Sequence, residues 1–314
     1  MYENDQEYQV LRIQSAMKAY LAQKRVNSSK YGSYEFRDFN EECEGDFKSS
    51  LVDRQISKYG QYKYDKSVGN KYNDRKRAFR GKEIQENGAE YQGEKDDEAD
   101  IRHGMGTMIW RDGARFDGWW RDDMANGPGR LIQPNGNIYE GEWVNNTATG
   151  FGHYIHYCGN DYEGQWHNDL QHGRGTEKWV DGSHYSGEFR LGKKHGKGKF
   201  VWRDGSNYEG SFNNNIIHGR GKYVWNDGRA YEGDWDNNSM SGHGTFTWDD
   251  GRKYEGDYYN DIKQGHGIFY WQDGRKYEGE WQDGRQHGRG LYTSSGGETR
   301  QGIWRDGKRE RWLD

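Results

Sequence analysis

Little in this sequence suits a conventional globule. Hydrophobic side chains make up 31% of its 314 residues, well short of the usual near-half, which excludes a thick Leu/Ile/Val core. There are two prolines and two cysteines. Cys43 and Cys158 are too few and too far apart for a disulfide framework or a zinc-binding spacing, and such sparse thiols suit a reducing compartment. No apolar run approaches the ~20 residues that cross a bilayer as a helix. The opening MYENDQEYQV is polar and acidic, unlike a secretory leader, so a cytoplasmic protein is expected. The formal charge of −5, from 46 basic and 51 acidic residues, does not mark a nucleic-acid binder. No kinase or hydrolase motif is present and no nucleophile has a unique setting, so the expectation is a non-catalytic protein with no cofactor and no metal.

What the sequence does hold is rings and glycine: 24 Tyr, 14 Trp, 11 Phe and 47 Gly. Disorder combines low hydrophobicity with few aromatics, and this chain breaks the second condition. The rings are also periodic. Segments of the type aromatic-x-Gly-x-aromatic start at Phe116, Tyr139, Tyr162, Tyr185, Tyr208, Tyr231, Tyr254 and Tyr277, in steps of 23 residues. An earlier copy starts at Tyr91 and a degenerate one at Arg300. In YEGEW, Tyr277, Gly279 and Trp281 alternate with Glu278 and Glu280, so a strand there has one aromatic and one acidic face. A Gly-x-Gly and a second alternating run follow, as in GKGKFVW. Asp-Gly pairs (Asp181-Gly182, Asp204-Gly205, Asp227-Gly228, Asp250-Gly251, Asp273-Gly274) then lead into the next unit and read as type I′ turns, with positive φ at both central residues. Glycine inside each first strand leaves room for a ring from the neighbouring strand. Trp179, Trp202, Trp225, Trp248 and Trp271 recur at one position of the second strand and are expected to stack along the array. At ~4.8 Å between strands, nine two-stranded units would extend ~85–90 Å.

The YEGEW…HGxG…DG unit resembles the MORN repeat (membrane occupation and recognition nexus), over roughly residues 91–308. The resemblance implies a twisted, elongated β-meander used for scaffolding, protein binding and dimerisation, with lipid binding proposed for some members. Such proteins occur in ciliary axonemes, including radial spokes, and in cytoskeletons. The expected architecture is therefore all-β: an elongated, single-layer antiparallel β-meander of about nine 23-residue MORN hairpins over 91–314, preceded by an N-terminal amphipathic helix at 1–26 and an extended or loosely ordered arm at 27–90. A groove lined by Tyr185, Trp202, Tyr208, Trp225, Tyr231, Trp235, Trp248, Tyr254, Trp271, Tyr277 and Trp281 is the expected partner surface. The partners expected are other proteins of a large axonemal or cytoskeletal assembly, with a homodimer as a further possibility.

The N-terminal third differs in kind. Residues 5–26 are free of Gly and Pro, with Val10, Ile13, Met17 and Leu21 at helical spacing. IQSAMKAYLAQKR resembles an IQ motif, through Ile13 and Gln14, with Lys18 where Arg is usual and Lys24 and Arg25 beyond. That resemblance implies calmodulin or an EF-hand light chain as partner, meeting the apolar stripe of Ile13, Met17 and Leu21 and the basic rim. A helix docked on the protein's own array or on an assembly partner reads equally well. CEGDF, at 43–47, looks like a stray strand of the repeat, and pieces of the arm suit the first sheet edge. Within the arm, Lys71, Arg75, Lys76, Arg77, Arg80 and Lys82 form a basic cluster that fits an anionic surface, a phosphoinositide membrane among them, or a solvated linker. Residues 91–314 hold 29 basic and 36 acidic side chains, which disfavours membrane contact by the array itself.

Three further patterns invite chemistry and are discounted. The Gly-x-Gly pairs precede a strand and not a helix, so they are no phosphate loop. His103, His172, His195, His218 and His287 precede glycine at equivalent places; at ~9.5 Å apart they cannot share one zinc, and a structural role capping a hairpin end is expected. HYIHYC places His153, His156 and Cys158 together, at a spacing unlike a metal site.

Overall fold

The computed structural model describes residues 50–313; the IQ-like helix and CEGDF lie outside them. The chain divides between Glu177 and Lys178 into two compact units. The first opens with helix α1 (Ser50–Tyr59) and a 3₁₀ helix (Lys66–Tyr72), whose N-cap Asp65 accepts from Ser67 N at 2.9 Å. Its strands are β1 (Arg77–Ile84), β2 (Glu90–Asp96), β3 (Arg102–Ile109), β4 (Arg115–Arg121), β5 (Met124–Ile132), β6 (Ile138–Val144), β7 (Thr147–Ile155), β8 (Asp161–His167) and β9 (Leu170–Lys178). The second unit holds β10 (His184–Arg190), β11 (Lys193–Val201), β12 (Asn207–Asn213), β13 (Ile216–Val224), β14 (Ala230–Asp236), β15 (Ser239–Thr247), β16 (Lys253–Tyr259), β17 (Ile262–Tyr270), β18 (Lys276–Gln282), β19 (Arg285–Thr293), β20 (Thr299–Arg305) and β21 (Lys308–Trp312). Consecutive strands pair antiparallel, β1 through β8 in the first unit and β10 through β21 in the second, giving the expected all-β meander.

Register is set by glycine. Every pairing from β10 to β20 aligns one glycine with the next: Gly187, Gly198, Gly210, Gly221, Gly233, Gly244, Gly256, Gly267, Gly279, Gly290 and Gly302 form one row across the strands. The first unit repeats the row from Gly93 to Gly164. A ring lies over the glycine pair of each hairpin, a tyrosine except where Phe116 covers Gly118 and Gly129. A Cβ at Gly221 would meet the Tyr208 ring and hydroxyl, so the bare backbone is the floor on which the ring packs.

Two kinds of turn alternate, and one differs from expectation. At Asn214-Asn215 both residues are left-handed, with φ of 50° and 71°, which defines the type I′ turn that Asn tolerates. Asn215 also reaches back one repeat: its N–H donates to Lys194 O at 2.9 Å and its side-chain oxygen accepts from Lys194 N at 2.8 Å. Asn238 on Ile217 and Asp261 on Met240 repeat this latch. The Asp-Gly turns are not type I′. At Asp204-Gly205 only the glycine is left-handed, at φ 86°. Trp202 N donates to Ser206 O and Gly205 N to Trp202 O, while the Asp204 carboxylate accepts from Ser206 N at 2.9 Å. Aspartate serves as an acceptor for the residue two positions on, closing an Asx turn, and glycine alone supplies the left-handed backbone.

The segment read as a loose arm is ordered over its described part, and the sheet begins before residue 91. β1 pairs with β2 through a bulge near Arg80. RAFRGKEI lacks both the Gly-x-Gly and the tryptophan of later second strands, which hid it from the repeat pattern. α1 and the 3₁₀ helix dock on the first unit. Gln55 Nε2 donates to Gly136 O at 2.7 Å, Arg130 Nη1 to Gly60 O at 2.8 Å, and Tyr72 stacks on Trp119 with ring centroids 4.7 Å apart.

Gly221→Ala is expected to destabilise by about 2–3 kcal/mol through overpacking against Tyr208. Gly205→Ala, in open space but left-handed, should cost about 1 kcal/mol. Urea unfolding of the two variants checks the order.

Candidate partner-binding face

The rings of the second unit form two rows. The deep row contains Tyr185, Tyr208, Tyr231, Tyr254 and Tyr277, each 0% exposed. Each tyrosine meets a ring four residues on in its own strand and that ring's counterpart in the next repeat, edge to face: Tyr208 with Phe212 and Trp235 at 5.2 and 5.6 Å, Tyr231 with Trp235 and Tyr258 at 5.1 and 5.2 Å. Their polar atoms are spent as well. Tyr208 Oη donates to Ser211 O at 3.0 Å, and Trp235 Nε1 to Gly221 O at 3.1 Å. Burial pushes the Tyr208 hydroxyl up to about 12, and Tyr231, Tyr254 and Tyr277 higher still, with burial again the main cause.

This corrects the expected groove. Tyr185, Tyr208, Tyr231, Trp235, Tyr254, Tyr277 and Trp281 are buried within the chain. A single sheet has no second layer to cover its rings, so they collapse onto the glycine row and become the core.

Trp202, Trp225, Trp248 and Trp271 are the half-buried remainder of that groove. They do not stack on one another. Each alternates with a ring of the following second strand: Trp202, Tyr223, Trp225, Phe246, Trp248, Phe269 and Trp271 succeed one another with centroids 4.5–5.5 Å apart. The planes are inclined by 37–62°. At three turns an arginine covers one tryptophan: Arg229, Arg252 and Arg275 lie 5.5, 5.4 and 5.3 Å from Trp225, Trp248 and Trp271. Asp227, Asp250 and Asp273 hold each guanidinium at 2.7 Å.

Repeat counting missed one residue of this face. Lys263 Nζ sits 4.8, 4.9, 5.1 and 5.1 Å from the rings of Trp248, Tyr254, Phe269 and Trp281. Burial, with the Arg252 guanidinium adding to it, pushes its amine down to about 8; the four ring faces act in the opposite sense. The corresponding residues one and two repeats earlier are Met240 and Ile217. A cation set among rings is the feature that marks it, shared with Lys194 three repeats earlier, which lies over Trp179, Tyr185 and Phe200.

The opposite face is charge-balanced. Lys199 pairs with Glu209 at 3.5 Å and Lys222 with Glu232 at 3.6 Å. The second carboxylate of the YEGE pattern is structural: Glu188, Asp234, Asp257 and Glu280 accept from the backbone N–H groups of Lys197, His243, His266 and Arg289 at 3.1–3.3 Å. In the first unit the 50–72 segment lies over this face, with Tyr64 Oη 3.3 Å from Thr107 Oγ1.

Four of the six cations of the basic cluster pair with carboxylates of the fold. Arg75 pairs with Asp122 and Asp96 at 2.8 and 3.3 Å, Arg77 with Glu94 at 3.0 Å, Arg80 with Asp97 at 3.6 Å and Lys82 with Glu90 at 2.7 Å. Lys71 and Lys76 are exposed. Strand β1 and the residues just before it bring these cations to carboxylates of neighbouring strands and turns, a pairing that a linear charge count cannot show. The histidines lie in second strands beside the bulge and not at hairpin ends: His195 stands opposite Glu188, and His218 Nδ1 is 3.2 Å from Asp236. His156 and Cys158 belong to a turn, with Nδ1 and Sγ 2.7 Å apart.

The MORN repeat model matches residues 98–115, 116–138, 139–157, 162–184, 185–207, 208–228, 231–251, 254–274 and 277–299, well over half of the sequence. The chain belongs to the MORN repeat family. Among solved structures it is similar to the TCP domain of Drosophila melanogaster SAS-4, determined with a proline-rich motif of Ana2, at 10% identity and a TM-score of 0.33, covering 49% of this chain and 85% of that one. It is also similar to the TCP10 domain of Danio rerio CPAP, at 11% identity and a TM-score of 0.26, covering 74% and 98%. Likenesses this distant carry no argument about function. Comparison with curated proteins finds no match.

Lys263→Met is expected to stabilise the protein below pH 8. A lysine whose folded pKa is lowered from 10.5 to about 8 costs stability while protonated, and folding gains as pH rises from 8 towards 10.5. The gain from Met should be about 1–2 kcal/mol, less than the full shift gives, because water and the ring faces offset part of it. Thermal melts at pH 6 to 10.5 check it: the difference between variant and parent should shrink as pH rises through that window.

Proposed function

We propose that this protein is a non-catalytic scaffold that holds protein partners on the tryptophan row of its second unit. One observation carries the reading. The deep tyrosine row is sealed, whereas Trp202, Trp225, Trp248 and Trp271 stay half-open at one register position. Rings held rigidly by neighbours offer contact area at low entropic cost. By analogy with the family, the assembly proposed is cytoskeletal or ciliary, of axonemal radial-spoke type, in the cytoplasm. The basic IQ-like segment at 1–26 would join a calmodulin or EF-hand light chain to it, and a homodimer fits the same role. An anionic membrane fits less well, because Arg75, Arg77, Arg80 and Lys82 already face carboxylates.

Replacing Trp225 and Trp248 together with Ala should reduce recovery of partners from extracts of the protein's own cells, at a stability cost of about 1–2 kcal/mol per ring because each is only half-buried. Tyr231→Ala, in the sealed row, should cost about 3–5 kcal/mol. Unchanged partner recovery by a folded double variant would refute the reading. For the helix, a peptide of residues 5–28 should gain helicity with calmodulin, and Ile13→Asp should abolish the calorimetric signal by placing a carboxylate in the apolar stripe.

A further inference from the structure

We propose that the tryptophan row takes a left-handed polyproline II segment with proline at every third residue and an acidic side chain beside it. The proposal rests on the row being the partner face and adds what that partner is. Its basis is a match of periods. One tryptophan occurs per two strands, so the row repeats every ~9.6 Å. The interleaved rings agree: Tyr223 lies 5.0 Å from Trp202 and 4.6 Å from Trp225, which caps that step at about 10 Å. A polyproline II helix rises ~3.1 Å per residue with three residues per turn and so shows one face every ~9.3 Å. The mismatch is ~0.3 Å per repeat, or ~1 Å across four tryptophans. Other regular conformations fit less well. A β-strand advances ~10 Å in three residues but then presents its opposite face. An α-helix returns its stripe after seven residues, ~10.5 Å on, and drifts ~0.9 Å per repeat.

The chemistry of the row agrees. It offers half-buried rings with mutually inclined planes, which suit pyrrolidine rings and ask for no backbone pairing from the ligand. Its charge fits too. Arg229, Arg252 and Arg275 are each tied to an aspartate. Lys263, enclosed by four rings, makes no ion pair among the described residues. A carboxylate carried by the ligand would complete it.

Three synthetic peptides test this on the full-length protein, by calorimetry and tryptophan fluorescence: five Pro-Glu-Ala triplets, the same peptide with one further Ala in each unit, and five Pro-Gln-Ala triplets. The Pro-Glu-Ala peptide should bind about tenfold more tightly than the four-residue-period peptide. It should also exceed the Gln peptide, and Lys263→Met should erase that preference while keeping the period preference. Lys263→Gln, the residue found at Gln286 one repeat on, is the second variant. Binding of the three- and four-residue periods within twofold of each other, or no binding by either, would overturn the proposal. If neither peptide binds while the Trp225 and Trp248 double variant still loses its cellular partners, the partner face stands and the polyproline identity falls.

Discussion

The structure depends on a tyrosine ring lying on two bare glycines. In a two-layer protein a sheet buries its apolar face against another element. Here the covering layer is one ring thick and comes from the same strands. Tyr208 closes over Gly210 and Gly221, and Phe212 and Trp235 close over Tyr208 from either side. A side chain at either glycine would lift the ring and with it both neighbours. The glycine row is therefore a packing requirement, and it explains why so little aliphatic side chain suffices.

The same arrangement makes each repeat depend on the next. Trp235 belongs to one hairpin, yet its ring packs on Tyr208 and its N–H reaches Gly221 O in the hairpin before it. The type I′ turn adds a second link, since Asn215 satisfies both backbone groups of Lys194. Nearest-neighbour coupling of this kind is what lets a repeat array fold without long-range contacts.

Much of this was legible in the sequence, and the failures have physical reasons. The 23-residue period, the paired strands and the need for glycine follow from alternation and spacing alone. Which rings remain open did not, because alternation places Tyr231 and Trp235 on one face but says nothing of how flat they lie. The Asp-Gly turns were misassigned because the pair serves two turn types, and only the side-chain bond from Asp204 to the Ser206 N–H separates them. The carboxylates of YEGEW read as a solvent-facing acidic surface; one of them caps a backbone N–H at the bulge, as Glu280 does for Arg289. The basic cluster read as free charge because its partners, among them Glu94 and Asp122, are distant in sequence and adjacent in the fold.

The two ring rows divide stability from recognition. The sealed row fixes strand spacing, and strand spacing sets the step between half-open tryptophans. A surface built this way cannot easily change its period, because any change would have to pass through the tyrosine–glycine packing beneath it. What can vary is the chemistry at single positions over that fixed step. Ile217, Met240 and Lys263 occupy one such position in three consecutive repeats. The first two add apolar surface, and the third places a cation amid four rings. Lysine also stands at this position in an earlier repeat, where Lys194 lies over Trp179, Tyr185 and Phe200, so the ring rows admit a cation as readily as an apolar side chain there.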